Sequence, residues 1–535
     1  MAPQFHLADM FEIVAKAVPD RVALQADNLE LTYAQLDERS DRVAAGLADR
    51  GIRRGDTVGL YLMNCPEYLE AFIAASKLGA IPFNVNYRYG RDELTYLFDN
   101  AQAAAIVFNA EFAPIMSDVT ARVPSIRLLS VVGGGGQPVA GQESYEALLA
   151  AAPRKGFKRS QHDILLQYTG GTTGMPKGVM WPHKAFFFAC LGGGGHFHPG
   201  GPITSPEEIA GRAREGYQLK MFTIAPLMHG AAIWAAWSGL LGGLTLALDP
   251  MRKFDAEAIW DRVEKYRVNV VQIVGDAMAG PLNEALNAYP DRWQLDHVVN
   301  FGSGGAVFSG HLKDAIKQHL PNAAIIDGMG TSEGGISGMA APSKDGMMRL
   351  PANEDQRVVV ADRFAEVGET GLLGRSGHTP VGYFRDEEKT AEVFKTIEGR
   401  LWTLSGDQGR LDHDGMITLF GRGSTCINTG GEKVFPEEVE SELRRHPAIR
   451  DAVVVGRAHQ KWGEAVVAIV SLKDETACPT PEELTEFLRP RLADYKRPKD
   501  FIVAREVRRS PAGKQDYAWA KAFARSAEET REIYG

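Results

Sequence analysis

The chain has 535 residues, 44% of them hydrophobic and 24% charged. That is too long for one ordinary core and has the composition of a soluble globular enzyme. With 59 basic against 68 acidic residues and a net charge of -9, no basic excess exists to track nucleic-acid phosphates, so a general nucleic-acid binder is excluded.

Residues 1–9 lack a basic segment followed by an apolar run, so no signal peptide is expected. Thr32 with Gln35 forms a capping box, Leu36, Val43 and Leu47 lie near one helical face, and Gly51 stops that helix. Residues 57–62 read as a strand, and 68–78 as a helix ended by Gly79. The apolar runs 164–168, 244–248, 268–274, 298–301 and 324–326 are bounded by turns. They read as buried strands between helices, which predicts an α/β fold with layered sheets and helices. Low complexity is confined to the Gly runs 133–136 and 192–195. The second opens a Gly-, Pro- and charge-rich segment, 196–216, expected to be a surface insertion or mobile loop that could cover a site. Residues 230–248 carry no charge and invite a membrane check. Their internal glycines and mid-chain position favour a buried helix turning into a buried strand. Beyond residues 421–425 the pattern changes to a small α+β unit: helix 436–445, strands 452–455 and 465–472, helix 481–492, strand 501–503. The cysteines Cys65, Cys190, Cys426 and Cys478 form no CxxC pair, so neither a disulfide framework nor a zinc site is expected, and a reducing cytoplasm fits.

The sharpest chemical signal is Tyr168-Thr169-Gly170-Gly171-Thr172-Thr173-Gly174-Met175-Pro176-Lys177-Gly178. Glycines let the backbone approach an anion and aim N–H groups at it. The threonine hydroxyls add donors, and Lys177 adds a mobile positive charge suited to a polyphosphate. It is not a Walker A loop, because Pro176 precedes the lysine and Gly178 follows it.

This string resembles the phosphate loop of the adenylate-forming superfamily, which contains acyl-CoA synthetases, peptide-synthetase adenylation domains and firefly-type luciferases. Gly170 stands where serine is usual. The resemblance runs from about Leu31 to Lys514 with its segments in family order, and it implies roles residue by residue. Asp327-Gly328-Met329-Gly330-Thr331-Ser332-Glu333 is similar to the nucleotide-binding Tyr-Gly-x-Thr-Glu segment. There Glu333 would bind Mg²⁺, a hard ion that prefers oxygen, and Ser332 would contact phosphates. Met329 replaces the tyrosine that stacks on adenine; its thioether can still pack on a ring face. Taken alone, a Thr-Ser-Glu turn is more often a helix cap.

Ser303-Gly304-Gly305-Ala306 resembles the Gly-Gly-Ala segment lining the adenine and acyl pocket, with Ala306 on the substrate side. Asp407 is the implied ribose ligand, a carboxylate that can accept two hydrogen bonds from a diol, and Arg422 a nucleotide contact. Residues 423–426 match the hinge, with Ser424 and Thr425 where charged residues are common. That divides the chain into a 1–422 N-terminal adenylate-forming domain and a 427–535 C-terminal mobile domain. Thr429-Gly430-Gly431-Glu432 is similar to the loop facing coenzyme A, where Gly430 and Gly431 would let the pantetheine arm pass. Ser510-Pro511-Ala512-Gly513-Lys514 resembles the C-terminal Gly-Lys segment.

Lys514 is the main catalytic candidate, with Glu333 and Thr169, although a near-terminal lysine is ordinarily a solvated charge. The segment 226–230 resembles the acyl-pocket border, making His229 a candidate gate. Ala231, Ala232, Ile233 and Trp234 follow, where amino-acid-activating relatives often carry an aspartate, and this points to an uncharged acyl chain.

The implied activity is ATP-, Mg²⁺- and coenzyme A-dependent acyl-CoA synthesis through an acyl-adenylate. The implied substrates are medium-to-long fatty or bulky alicyclic, steroid-side-chain acids. An aryl-acid ligase, an adenylate-former with another acceptor and a degenerate nucleotide-binding relative stay open as alternatives. The resemblance suggests a homodimer; peripheral membrane contact is left open.

Overall fold

The computed structural model describes all residues except 1, 28, 136–137, 172–173, 196–197, 199, 251, 307, 341–347, 423–424, 426, 430–431, 460–462, 475, 477, 510–514 and 535. Among the described residues the strands form four sheets. An eight-stranded sheet has a parallel centre, Val270–Ile273 beside Asn300–Gly304 beside Ala324–Thr331, and an antiparallel strand at each edge. A seven-stranded sheet is parallel except for its last hairpin, Ile164–Gly171 with Gly174–Pro182. A second seven-stranded sheet is antiparallel and contains Arg400–Leu411 paired with Met416–Arg422. The fourth, of five strands, belongs to a small C-terminal domain.

Helices fill the space between the two parallel-centred sheets. Leu7–Ala17, Tyr33–Asp49, Pro66–Leu78 and Gly230–Leu241 contribute Phe11, Leu36, Leu69 and Trp237 to one core with Leu60 and Leu246 from the sheets. Two-sided coverage explains why the strands read as unbroken apolar runs. The Tyr33 hydroxyl donates to the Leu240 and Leu244 carbonyls at 2.9 and 2.7 Å. Inside this layer Lys77 is buried and pairs with Asp37 and Asp41, at 2.6 Å each.

The local expectations hold in most places. Thr32 Oγ1 accepts from the Gln35 amide and Gln35 Oε1 from the Thr32 amide, and Gly79 ends its helix at φ 74°. The uncharged stretch 230–248 is the buried helix Gly230–Leu241 leading to the strand Thr245–Ala247. No helix among the described residues is long and apolar enough to cross a membrane. The segment 200–216 differs from expectation. Ile203, Ile209 and Ala213 are buried, the helix Ile209–Glu215 packs on the N-terminal helix, and Arg21 donates to the Ala213 carbonyl at 2.8 Å. It is a packed element, because its apolar residues recur at a spacing that one short helix turns to one side.

In the small domain the strands Ile449–His459 and Gly463–Leu472 alternate over residues 452–455 and 466–470. Ala452, Val454 and Val466 face the helices Pro436–Arg444 and Pro481–Leu488, while Val453, Val455 and Val467 face the terminal helix Tyr517–Tyr534. That terminal helix was not anticipated. It covers the second face of the sheet and makes the alternation apolar on both sides.

Candidate active site

The Gly/Thr string forms the tip of an antiparallel hairpin rather than a loop trailing a strand. Thr169 lies opposite Lys177 and Tyr168 opposite Gly178, with Gly171 opposite Gly174 at the tip. Thr169, Gly170, Gly171 and Gly174 are therefore strand residues; Thr172 and Thr173 lie outside the described residues. Gly178 is required by packing, since a Cβ there would stand 2.8 Å from the Tyr168 ring. Asn84 fixes the hairpin base, accepting from the Tyr168 amide at 2.7 Å and donating to the carbonyls of Tyr168 and Met228 at 2.9 and 2.6 Å.

Residues 381–386 run along the outer side of this hairpin. The Phe384 amide donates to the Gly178 carbonyl at 2.8 Å and the Met180 amide to that of Gly382 at 2.9 Å. They deliver two side chains to it. Asp386, which caps the helix Glu387–Val393, takes Lys177 Nζ at 2.7 Å. That hydrogen bond holds the Asp386 carboxyl below its ordinary range. Tyr383 donates its hydroxyl to Glu333 Oε1 at 2.9 Å, and both residues are buried.

Glu333 sits in the turn between the strands Ala324–Thr331 and Gly335–Ala340, so Asp327 through Thr331 belong to the strand itself. The turn depends on Gly335, whose φ is 72° and whose Cβ would lie 2.7 Å from the Ala189 carbonyl oxygen. It is tied to the hairpin from both hairpin strands. Trp181 Nε1 donates to the Ser332 carbonyl at 2.8 Å, and Gln167 Nε2 reaches Ser332 Oγ at 3.5 Å while its Oε1 accepts from Trp234 Nε1 at 2.9 Å. Thr331 Oγ1 accepts the Gly334 amide at 2.9 Å.

Within the same strand, the buried Asp327 carboxylate is taken up by Lys313 Nζ at 2.8 Å. Burial raises its pKa against the pull of that lysine. Met329 packs beside the core cluster of Leu350, Val358 and Leu373. Gly328 lies beside Gly304 across the parallel ladder. Gly305 owes its identity to conformation, φ 88°, with Ala231 Cβ 3.6 Å from the position of a side chain. Ala306, half-buried, packs against the large core, and His229 is the N-terminal residue before the helix Gly230–Leu241. A Cβ on Gly230 would meet Gln167 Nε2 at 2.4 Å, so the start of this helix and the hairpin touch.

In the antiparallel sheet Asp407 lies opposite Arg422. The Asp407 carboxylate is buried and accepts from Ser405 Oγ at 3.0 Å. Asp407 is thus a strand residue, which its Gly neighbour concealed. Gly430, Gly431 and Lys514 lie outside the described residues.

The arrangement offers a half-exposed ammonium, a buried carboxylate held by one hydroxyl, and hydroxyls at Thr331 and Ser332. One carboxylate with neighbouring oxygen donors fits Mg²⁺, which is commonly held by one or two carboxylates together with substrate phosphates. Among the described residues the one grouping of three carboxylates close enough to share an ion is Glu12, Asp37 and Asp41. Lys77 already pairs with the two aspartates there, so Glu333 is the better candidate.

Comparison with known proteins decides the family. Residues 11–373 match the AMP-binding enzyme family and residues 438–514 the AMP-binding enzyme C-terminal domain. The chain belongs to the AMP-binding enzyme family. A medium/long-chain-fatty-acid–CoA/3-oxocholest-4-en-26-oate–CoA ligase of Mycobacterium tuberculosis (strain ATCC 25618 / H37Rv) is 40% identical, covering 97% of this chain and 96% of that protein. A 3-oxocholest-4-en-26-oate–CoA ligase of Rhodococcus rhodochrous is 38% identical, covering 96% and 95%. Among solved structures, the anthranilate CoA ligase AuaEII in complex with anthranoyl-AMP superposes with a TM-score of 0.84 at 23% identity, covering 99% of both chains. That likeness establishes the fold of this AMP-binding enzyme: layered sheets and helices followed by a small C-terminal domain.

Sequence reasoning missed Tyr383, Asp386, Gln167 and Trp181. Asp386 carried a signal, an aspartate before Glu387 and Glu388 at a helix start. Tyr383 carried none, being far from Glu333 in the chain.

Proposed function

We propose that this AMP-binding enzyme is an ATP-dependent acyl-CoA synthetase acting on medium-to-long-chain fatty acids or bulky alicyclic, steroid-side-chain acids. The names of the relatives at 40% and 38% identity support the substrate class. The observation that carries the reading is the joining of the Gly/Thr hairpin to the Glu333 turn through Gln167, Trp181 and Tyr383. Phosphate-binding backbone and a magnesium-binding carboxylate then share one rigid wall.

A carboxylate reacts poorly with a thiol because the leaving oxide is strongly basic; transfer to AMP provides a better leaving group. In this reading Lys177 exchanges Asp386 for the β- and γ-phosphates. Asp407 takes the ribose hydroxyls and Arg422 contacts the nucleotide. Glu333 would hold Mg²⁺, which supplies charge neutralisation on the phosphates. Lys514 stabilises the charge that builds as the carboxylate attacks the α-phosphorus and pyrophosphate leaves. Residues 423–426 act as the hinge, so the small domain withdraws Lys514 and presents Gly430 and Gly431 to coenzyme A for the second half-reaction. His229 and Ala306 border the acyl chain. The buried thiols Cys65 and Cys190 and the exposed Cys478, all free, suit a reducing cytoplasm. The proposed homodimer is checked by sedimentation.

The test is a panel of fatty, sterol-side-chain and aryl acids assayed for AMP release with and without coenzyme A. Release that requires coenzyme A and favours the first two classes is expected. Release independent of coenzyme A, or confined to aryl acids, would overturn the assignment.

A further inference from the structure

A buried polar chain outside the nucleotide site joins the two domains. Arg444 ends the helix Pro436–Arg444 and is 3% exposed. Its Nε faces Asp276 Oδ2 of the large domain at 3.4 Å, and its Nη1 lies 3.8 Å from Glu440 and 3.7 Å from Asp451. Nη1 also donates to the Ala452 carbonyl at 3.2 Å. The Nε and Asp276 Oδ2 are buried, yet neither makes an aligned hydrogen bond among the described residues. Two facing charges removed from water and not locked by a hydrogen bond suit a contact that must form and release.

The two carboxylates on the other side of Arg444 each hold one flank of residues 510–514. Glu440 Oε2 accepts from Gln515 Nε2 at 2.8 Å, and its Oε1 accepts from the Val454 amide at 2.9 Å and from Tyr517 Oη at 3.2 Å. Asp451 accepts from Arg509 Nε and Nη2 at 2.9 and 2.8 Å. Arg509 and Gln515 pair with each other as an antiparallel bridge. On the large-domain side, Asp276 Oδ1 accepts from the Ser309 amide at 2.7 Å. The preceding residue, Gly275, donates to Ser303 Oγ at 2.9 Å, one residue before Gly304.

We propose that Arg444 is a positioning residue. Its pairing with Asp276 holds the small domain in the orientation for adenylate formation, and through Glu440 and Asp451 the same guanidinium braces both flanks of the segment that carries Lys514. This rests on the reading that Lys514 serves the first half-reaction. The face of the small domain that meets Asp276 is the face on which Gln515 is held, and Gly275 next to Asp276 is tied to Ser303 near the C-terminal end of the central strand Asn300–Gly304. Docking at Asp276 and the bracing of Arg509 and Gln515 therefore pass through one guanidinium.

The test is Asp276→Asn, with Asp276→Glu as the conservative rescue and Lys514→Ala in parallel. Asparagine keeps an oxygen for the Ser309 amide and removes only the charge. Both half-reactions are measured separately: ATP–pyrophosphate exchange, and thioester formation from preformed acyl-adenylate. Asp276→Asn is expected to slow exchange about tenfold, equivalent to about 1.4 kcal/mol, and to leave the thioester step unchanged or faster. Asp276→Glu should return exchange to near the wild-type rate. An equal loss in both half-reactions, as plain destabilisation would give, or no loss in either, overturns the proposal. Should Lys514→Ala keep full exchange, the lysine reading fails by itself, and the split under Asp276→Asn still decides the role of Arg444.

Discussion

Tyr383→Phe isolates the hydrogen bond that spans the seam between the hairpin and the Glu333 turn. The ring stays: Phe394 packs edge-on at 5.8 Å, and the backbone bridge to Val179 is unaffected. What goes is the hydroxyl 2.9 Å from Glu333 Oε1, between residues 6% and 8% exposed. A hydrogen bond to a charged group is worth roughly 1.5–3 kcal/mol net. If Glu333 must be held in place to bind the metal, that range converts to about 10- to 150-fold in adenylation rate. ATP–pyrophosphate exchange measured across a magnesium titration is the assay. The variant should need more Mg²⁺ for half-maximal exchange and stay slower at saturation, while thioester formation from preformed acyl-adenylate changes little. Exchange within twofold of wild type at every Mg²⁺ concentration would refute the argument that Tyr383 positions Glu333.

Three further outcomes are expected. Lys77→Met leaves the buried Asp37 and Asp41 carboxylates only the exposed Lys155 ammonium, at 3.2 and 3.1 Å; losing the buried partner should lower stability to urea by roughly 3 kcal/mol, with partial recovery on adding Asp37→Asn. His183 is buried, stacked on His6 with ring centroids 3.8 Å apart, and burial pulls its pKa down to about 3. Its neutral form is the folded one, so the unfolded chain binds the extra proton between about pH 6.5 and 3, and stability should fall as pH drops through that window. His183→Asn should flatten the change in urea midpoint between pH 7 and 5, and an unaltered slope would count against this. Gly335→Ala forces a side chain into φ 72° and against the Ala189 carbonyl. ATP-dependent exchange should fall more than tenfold, and a crystal structure or loss of Mg²⁺ response would locate the defect in the Glu333 turn.

Much of this was legible in the sequence because it is local. The capping box at Thr32, the helix stop at Gly79 and the buried strands follow from rules that act within a few residues. The order of the segments from Thr169 to Asp407 was equally readable. What escaped was set by pairing at a distance. The glycines of the 168–178 string read as a loop, yet the ladder formed with Lys177 holds the described ones as strands. The Lys313 partner of the Asp327 carboxylate, on the preceding helix, was not visible in the local pattern either. The terminal helix was missed because its apolar face makes sense only against Val453 and Val455.

Burial sorts the parts of the site into those that exchange and those that stay. The Lys177–Asp386 pair has side chains 34% and 29% exposed, and such pairs contribute about 0–1 kcal/mol. Under the proposed function a phosphate therefore displaces Asp386 at little cost. The Tyr383–Glu333 bond is buried, and breaking it would strand a carboxylate away from water. It has to persist while ligands come and go. Arg444 falls between the two cases: buried like Glu333, yet facing Asp276 at 3.4 Å without an aligned hydrogen bond. Full burial makes the contact matter, and imperfect geometry keeps it weak enough to part, which is the combination that a domain meant to dock and undock requires.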